Sequence, residues 1–144
     1  MRAASARLIP LGLALVVALG LTVRFLHAPV GGGLTDIERL MAERKVGAAV
    51  VLDPDSEGPG ILTERDVLEA IGAGQDVDVE MCGDHLTRDA VTALPDWDLG
   101  RAATAMVNGG FRHLVVCDPH DVVGVISVRD IVRVWSQIDS LTGA

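Results

Sequence analysis

Two short stretches carry the residue types that could hold a phosphorylated sugar. They are Gly60-Ile61-Leu62-Thr63-Glu64-Arg65-Asp66 and Gly124-Val125-Ile126-Ser127-Val128-Arg129-Asp130. In each, an apolar run led by glycine ends at a hydroxyl, with an arginine two positions later and a carboxylate three positions later. If the run is a strand and the hydroxyl opens a helix, the first helical N–H groups are unpaired and the dipole end is positive, which makes an anion site. Thr63 or Ser127 can then donate to a phosphate oxygen, and Arg65 or Arg129 adds charge. Asp66 or Asp130, acceptor-only when ionised, suits the two O–H donors of a ribose diol. One such stretch alone reads as a capping box with an acidic third residue. Two in register favour ligand binding.

Other chemistry is less well supported by the spacing. Asp53, Asp55, Glu57, Gly58 and Glu64 nearly fit a calcium loop, but a valine-rich run enters it where a helix is needed, and Pro54 and Pro59 stiffen it. An acidic turn is the better reading. Cys82-x-x-His85 has no second pair at the spacing that a structural zinc requires. Ser127 and His113 have no third group to orient them as a nucleophile and base. No catalytic or metal-binding residue is assigned, and an enzyme is the least favoured class.

The elements that must position these residues come in two copies. "MAERKVGAAVVLDP" from Met41 lies over "MVNGGFRHLVVCDP" from Met106, and "GILTERDVL" from Gly60 lies over "GVISVRDIV" from Gly124. Each copy reads as helix, strand, turn, strand, helix. In the first, Thr35 to Glu38 is a predicted capping box before the apolar stripe Ile37, Leu40 and Met41. Ala48 to Leu52 and Gly60 to Leu62 are predicted strands around the turn residues 53–59, and Thr63 caps a helix through Val67, Leu68 and Ile71. In the second, Leu99, Ala102, Ala103, Met106 and Val107 share a helix face that Asn108-Gly109-Gly110 ends. Arg112 to Cys117 and Val122 to Ile126 are strands, and Ser127 caps a helix with Ile131, Val134, Trp135 and Ile138 on one face. Ala90 to Ala93, ended by Pro95, is the leading strand of this copy.

Composition narrows the partners. The chain has 144 residues, is 49% hydrophobic, and carries a net charge of -8 with two Trp, two Phe and no Tyr. Phosphate-backbone binders use cationic patches and stacking aromatics, so nucleic acid is not an expected partner. Cys82 and Cys117 imply no disulfide framework and suit a reducing cytoplasm. Arg2 and Arg7 precede an uncharged apolar run, Leu8 to Val23, closed by Arg24. Three readings of this run stand: a buried element, a membrane anchor with the rest of the chain facing the cytoplasm, and a secretory leader. A helix of its length falls short of the ~30 Å hydrocarbon core, and Leu26-His27-Ala28-Pro29 is a poor cleavage site.

The repeat "VGAAVVLD…GILTERDVL" and "GFRHLVVCDPHDVVGVISVRDIV" resembles the CBS motif, and the chain resembles bacterial stand-alone tandem CBS proteins over about residues 34–138. The fold implied is α/β (α+β): two motifs, each a small sheet with two helices, related by a pseudo-two-fold axis. The expected organisation is an apolar segment 1–33 in place of the usual start, an incomplete first motif 34–72, a linker 73–86, a second motif 87–138 and a tail 139–144. The resemblance implies a regulatory module (a Bateman module) that binds an adenosine-containing ligand, AMP, ADP, ATP or S-adenosylmethionine, as a ligand and not as a cofactor. It also implies a homodimer and an unidentified regulated partner. Carried over, the ribose-binding acid falls on Asp66 and Asp130, the hydroxyl on Thr63 and Ser127, and the strand-head cation on Arg112 and His113. Arg65 and Arg129 lie within the motif, and adenine contacts fall near Val91, Thr92 and Ala93. The first copy has Gly47 and Ala48 where the second has Arg112 and His113, so the second site is expected to be the better formed. The alternative is a ligand-indifferent dimerisation scaffold, tethered to a membrane through residues 8–23.

Overall fold

The computed structural model of the chain describes residues 26–143. The run Leu8 to Val23 therefore lies outside the described residues. Among the described residues no helix is long and apolar enough to cross a membrane. The chain runs β1 (Leu26–Pro29), α1 (Leu34–Arg44), β2 (Ala48–Leu52), β3 (Gly60–Thr63), α2 (Glu64–Gly72), α3 (Cys82–His85), β4 (Thr92–Ala93), α4 (Leu99–Gly109), β5 (His113–Cys117), β6 (Val122–Ser127) and α5 (Val128–Thr142). It is an α+β fold of two three-stranded sheets, ordered β1-β2-β3 and β4-β5-β6. In each sheet the first pairing is parallel and the second antiparallel.

The central strands explain how the sheets meet. Successive side chains of a strand point to opposite faces, and both faces of β2 and β5 are covered. Ala49 and Val51 pack under α1 and α2, while Leu114 and Val116 pack under α4 and α5. The alternate residues Ala48, Val50 and Val115 join Ile61 and Val125 in a third cluster between the two sheets. Equivalent residues of the two copies, Val50 with Val115 and Ile61 with Val125, thus share one interface, as a two-fold contact requires. Each buried valine there contributes about 1.5 kcal/mol or more of apolar burial.

Several expectations need correction. The first unit does not open at Leu34: Leu26–Pro29 is a strand paired parallel to β2 in the register Leu26 to Ala49, which matches β4 on β5. It lies at the edge of its sheet, with Leu26 and Ala28 buried and His27 and Pro29 exposed, so it lacks the continuous apolar run of β2. Thr35 is not the cap of α1; Gly33 holds that position, and the Thr35 hydroxyl bonds Val77 O at 3.0 Å and Asp78 Oδ1 at 2.8 Å. Residues 73–86 are more than a linker. Their backbone bonds Leu34 N to Glu80 O, Cys82 N to Gly32 O and Gly83 N to Val30 O strap them across the first unit. The helix stripes are also narrower than their sequence pattern: Leu40, Leu68, Ile71 and Val107 are exposed, and Leu34 and Ala70 are buried instead.

Candidate ligand-binding clefts

The two strand-to-helix junctions fold alike. At the second, Ser127 N–H and Oγ–H both donate to Asp130 Oδ2, at 2.8 and 2.7 Å, and Asp130 N–H donates back to Ser127 Oγ at 3.2 Å. At the first, Thr63 N–H and Oγ1–H donate to Asp66 Oδ2 at 2.6 and 2.9 Å. The serine or threonine prefers this position because its side chain competes for the helix's own unpaired amides. In both, one carboxylate oxygen is consumed by the cap and the other is left over.

What surrounds that second oxygen differs. Asp130 is 0% exposed, and its Oδ1 has no hydrogen-bond partner. Arg133 Nη1 stands 3.8 Å from it, near enough to feel the charge and too far for a hydrogen bond. Asp66 is only half-buried. A buried unpaired acceptor costs about 1–3 kcal/mol, more for a charged group, and among the described residues none donates to Asp130 Oδ1.

Each junction faces its own cavity, and each cavity is made by both copies. The larger, about 620 Å³, has Ser127, Arg129 and Asp130 on one side and Lys45, Gly47 and Glu64 of the first copy on the other. The smaller, about 210 Å³, has Thr63, Arg65 and Asp66 opposite Ala90, Val91 and Asp89 of the second copy. Arg112 and His113 line both. Within each copy a matching backbone bond ties the helix start to the head of the central strand: Glu64 N–H donates to Gly47 O at 3.1 Å and Val128 N–H to Arg112 O at 3.0 Å. A methyl group at Gly47 would stand 3.2 Å from His113 Nε2, so the glycine makes room for the imidazole. Burial, chiefly, holds the His113 pKa below its ordinary value; Arg112 and Arg129 act in the same sense, and Glu64 and Asp130 oppose them.

The sequence-derived site residues fall into four groups. Ser127, Arg129 and Asp130 line the larger cavity, Thr63, Arg65, Asp66 and Val91 the smaller, and Arg112 and His113 both. Thr92 and Ala93 line neither, because the Ala93 methyl is buried under α4 and α5 and Thr92 is exposed beyond the cavities. Lys45 and Glu64 were not among the expected residues. Lys45 adopts a left-handed conformation, φ 55°, at the position where the second copy has Gly110 at φ 69°. A lysine in a glycine position of the repeat was the visible signal. The other sequence candidates have local partners: Asp53 accepts from Asp55 N–H and pairs with Arg88 at 2.6 Å, and His85 pairs with Glu80 at 2.7 Å. Burial pushes the Cys82 thiol up to about 11. Among the described residues no group of three or more His, Cys, Asp or Glu is placed to hold a metal ion.

Comparison with known proteins decides the family. The CBS-domain family model matches residues 22–73 and 82–136. The chain belongs to the CBS-domain family. Its two CBS repeats are similar to an uncharacterised 17.7 kDa protein of Acidianus ambivalens, 28% identical over 75% of this chain and 65% of that protein. The chain spans between about a third and two thirds of the length of the first curated relatives that it matches. Among solved structures, a CBS-domain protein of Burkholderia ambifaria has a TM-score of 0.76 at 25% identity, covering 86% of this chain and 93% of that one. A CBS domain protein of Pyrobaculum aerophilum complexed with AMP has a TM-score of 0.74 at 25% identity, covering 92% and 99%.

Proposed function

We propose that this CBS pair is a regulatory module that holds an adenosine-containing ligand (AMP, ADP, ATP or S-adenosylmethionine) in the clefts between its repeats, without catalysing a reaction. The observation that carries this reading is Asp130 Oδ1, a buried carboxylate oxygen without a hydrogen-bond partner, in a residue that lines a cavity of about 620 Å³. A ribose diol supplies the donor that this oxygen lacks. Arg129, Arg112 and Lys45 around the same cavity suit the phosphates, and the helix N-terminus adds its dipole. The structural likeness to a protein solved with AMP supports the same ligand class.

A regulatory output needs a surface as well as a site. The equivalent positions Leu68 and Val132, on α2 and α5, are 68% and 55% exposed. Paired apolar positions on the two copies favour self-association in a homodimer, whose shape a ligand bound between the repeats can bias by the difference in its affinity for two arrangements.

Calorimetric titration of the chain with AMP, ATP and S-adenosylmethionine tests the reading. Saturable binding of at least one of them with micromolar affinity, about -8 kcal/mol, is expected. Heat of dilution alone for all three, with the protein folded by circular dichroism, defeats it and leaves the scaffold.

A further inference from the structure

We infer that the two clefts oppose each other's occupancy by phosphorylated ligands, because they share one cationic strand head. This inference rests on the adenosine-ligand reading and adds a regulation to it. Arg112 and His113 are the two residues that line both cavities. The pseudo-two-fold equivalents of this pair, Gly47 and Ala48, carry no charge and line only the larger cavity. A symmetric module would have a strand-head cation for each cleft. This chain has one for two.

Each cleft has one arginine of its own at its junction, Arg129 in the larger and Arg65 in the smaller. Arg112 is the cation over which they compete. Its side chain is 57% exposed and its Nη2 lies 3.9 Å from Glu64 Oε1 across the copy boundary, so the present partner is a loose one that a phosphate can displace. A guanidinium binds an oxyanion best through two parallel N–H bonds from one edge. Once committed to a phosphate in the larger cleft, it is lost to the smaller one, and a second phosphate brought beside it meets the charge of the first. Ligands without a phosphate escape both effects.

Titrations with AMP on the full chain, on Asp130→Asn and Arg112→Gln, and on the double variant test the coupling. Asp130→Asn removes the diol acceptor of the larger cleft and leaves the smaller intact. The affinity of AMP for the smaller cleft, read as the weaker event in the wild type and as the remaining event in Asp130→Asn, is expected to rise about tenfold when the larger cleft is emptied, within the usual range of site–site coupling. In an Arg112→Gln background the same emptying should change it less than twofold. A second event invisible in the wild type that emerges in Asp130→Asn is the same result at its limit. Equal affinity for the smaller cleft with the larger full or empty overturns the inference, as does no binding there in either protein, or a coupling that survives Arg112→Gln. All three leave the adenosine-ligand reading intact if the wild type binds AMP at all. If no adenosine ligand binds the wild type, both fall together.

Discussion

The two junctions are near copies in backbone and caps, yet only one leaves a fully buried carboxylate oxygen without a partner. Thr63 and Ser127 donate to the third-position aspartate in the same way. Asp130 is fully buried beside a cavity lined by Lys45, Arg112, Arg129 and the acid Glu64, whereas Asp66 is half-buried beside one lined by Arg65, Arg112 and the acid Asp89. The lesson is that the repeated motif specifies the junction, and the non-repeated residues opposite it specify what the junction can hold. Identical local chemistry does not make identical sites.

The largest expected difference between the clefts lies at the two carboxylates. Asp130→Asn keeps an oxygen for Ser127 N–H, so the helix cap survives, but it removes the charge that the diol would meet. Two hydrogen bonds to a charged group, at about 1.5–3 kcal/mol each, predict a loss of about a hundredfold or more for the tightest AMP event. Asp66→Asn should leave that event within about threefold. If calorimetry shows the two substitutions equal in effect, the clefts are equivalent and the distinction drawn here is wrong.

How much of this was legible beforehand depends on sequence distance. Residues 60–66 and 124–130 carry their junctions within one turn of chain, and capping chemistry is local, so both could be read from spacing. The crossing of each junction to the other copy could not. Val91 was expected with the second copy's site and lies instead beside Asp66, because the sheets pack through Val50 and Val115 and place one copy's leading segment over the other's helix start. Thr35 was misread for a related reason: its hydroxyl had a better partner in Val77 O and Asp78, 42 and 43 residues away, than in its own helix. The strand Leu26–Pro29 escaped notice because an edge strand of four residues with two exposed has little apolar signature.

Lys45 sharpens the comparison at a smaller scale. A non-glycine residue in the left-handed region costs about 1–2 kcal/mol, partly matched by the entropy that a glycine would bring to the unfolded chain. Lys45 holds that conformation at the larger cavity, where its equivalent Gly110 lines the smaller cavity without strain or charge. Lys45→Gly is expected to stabilise the fold by about 0.5–1 kcal/mol, a rise of a few degrees in Tm, while weakening ATP about threefold and AMP less. Calorimetric melting and titration on the same samples check both signs. Greater stability with unchanged ATP affinity would mean that the lysine is incidental.

The smallest expected effect is protonic, and it separates the copies because His113 has Ala48 as its counterpart. Burial leads the lowering of the His113 pKa, with Arg112 and Arg129 adding to it against Glu64 and Asp130. Its folded-state value therefore lies below the unfolded one, and the neutral imidazole contributes its stability in full above about pH 6.5. That contribution is lost as pH falls through the folded-state value. A phosphate placed against Arg112 and His113 raises the imidazole's pKa, so AMP binding near pH 6.5 should take up a fraction of a proton more in the wild type than in His113→Asn. That difference comes on top of what the AMP phosphate, with its own second pKa of about 6, exchanges in both. Adenosine, with no phosphate, should take up none. Titrations in buffers of different ionisation enthalpy read this directly: the dependence of the apparent AMP heat on the buffer should differ between the wild type and His113→Asn by that fraction of a proton. An identical buffer dependence in the two proteins places the proton on another group and removes His113 from the phosphate's surroundings.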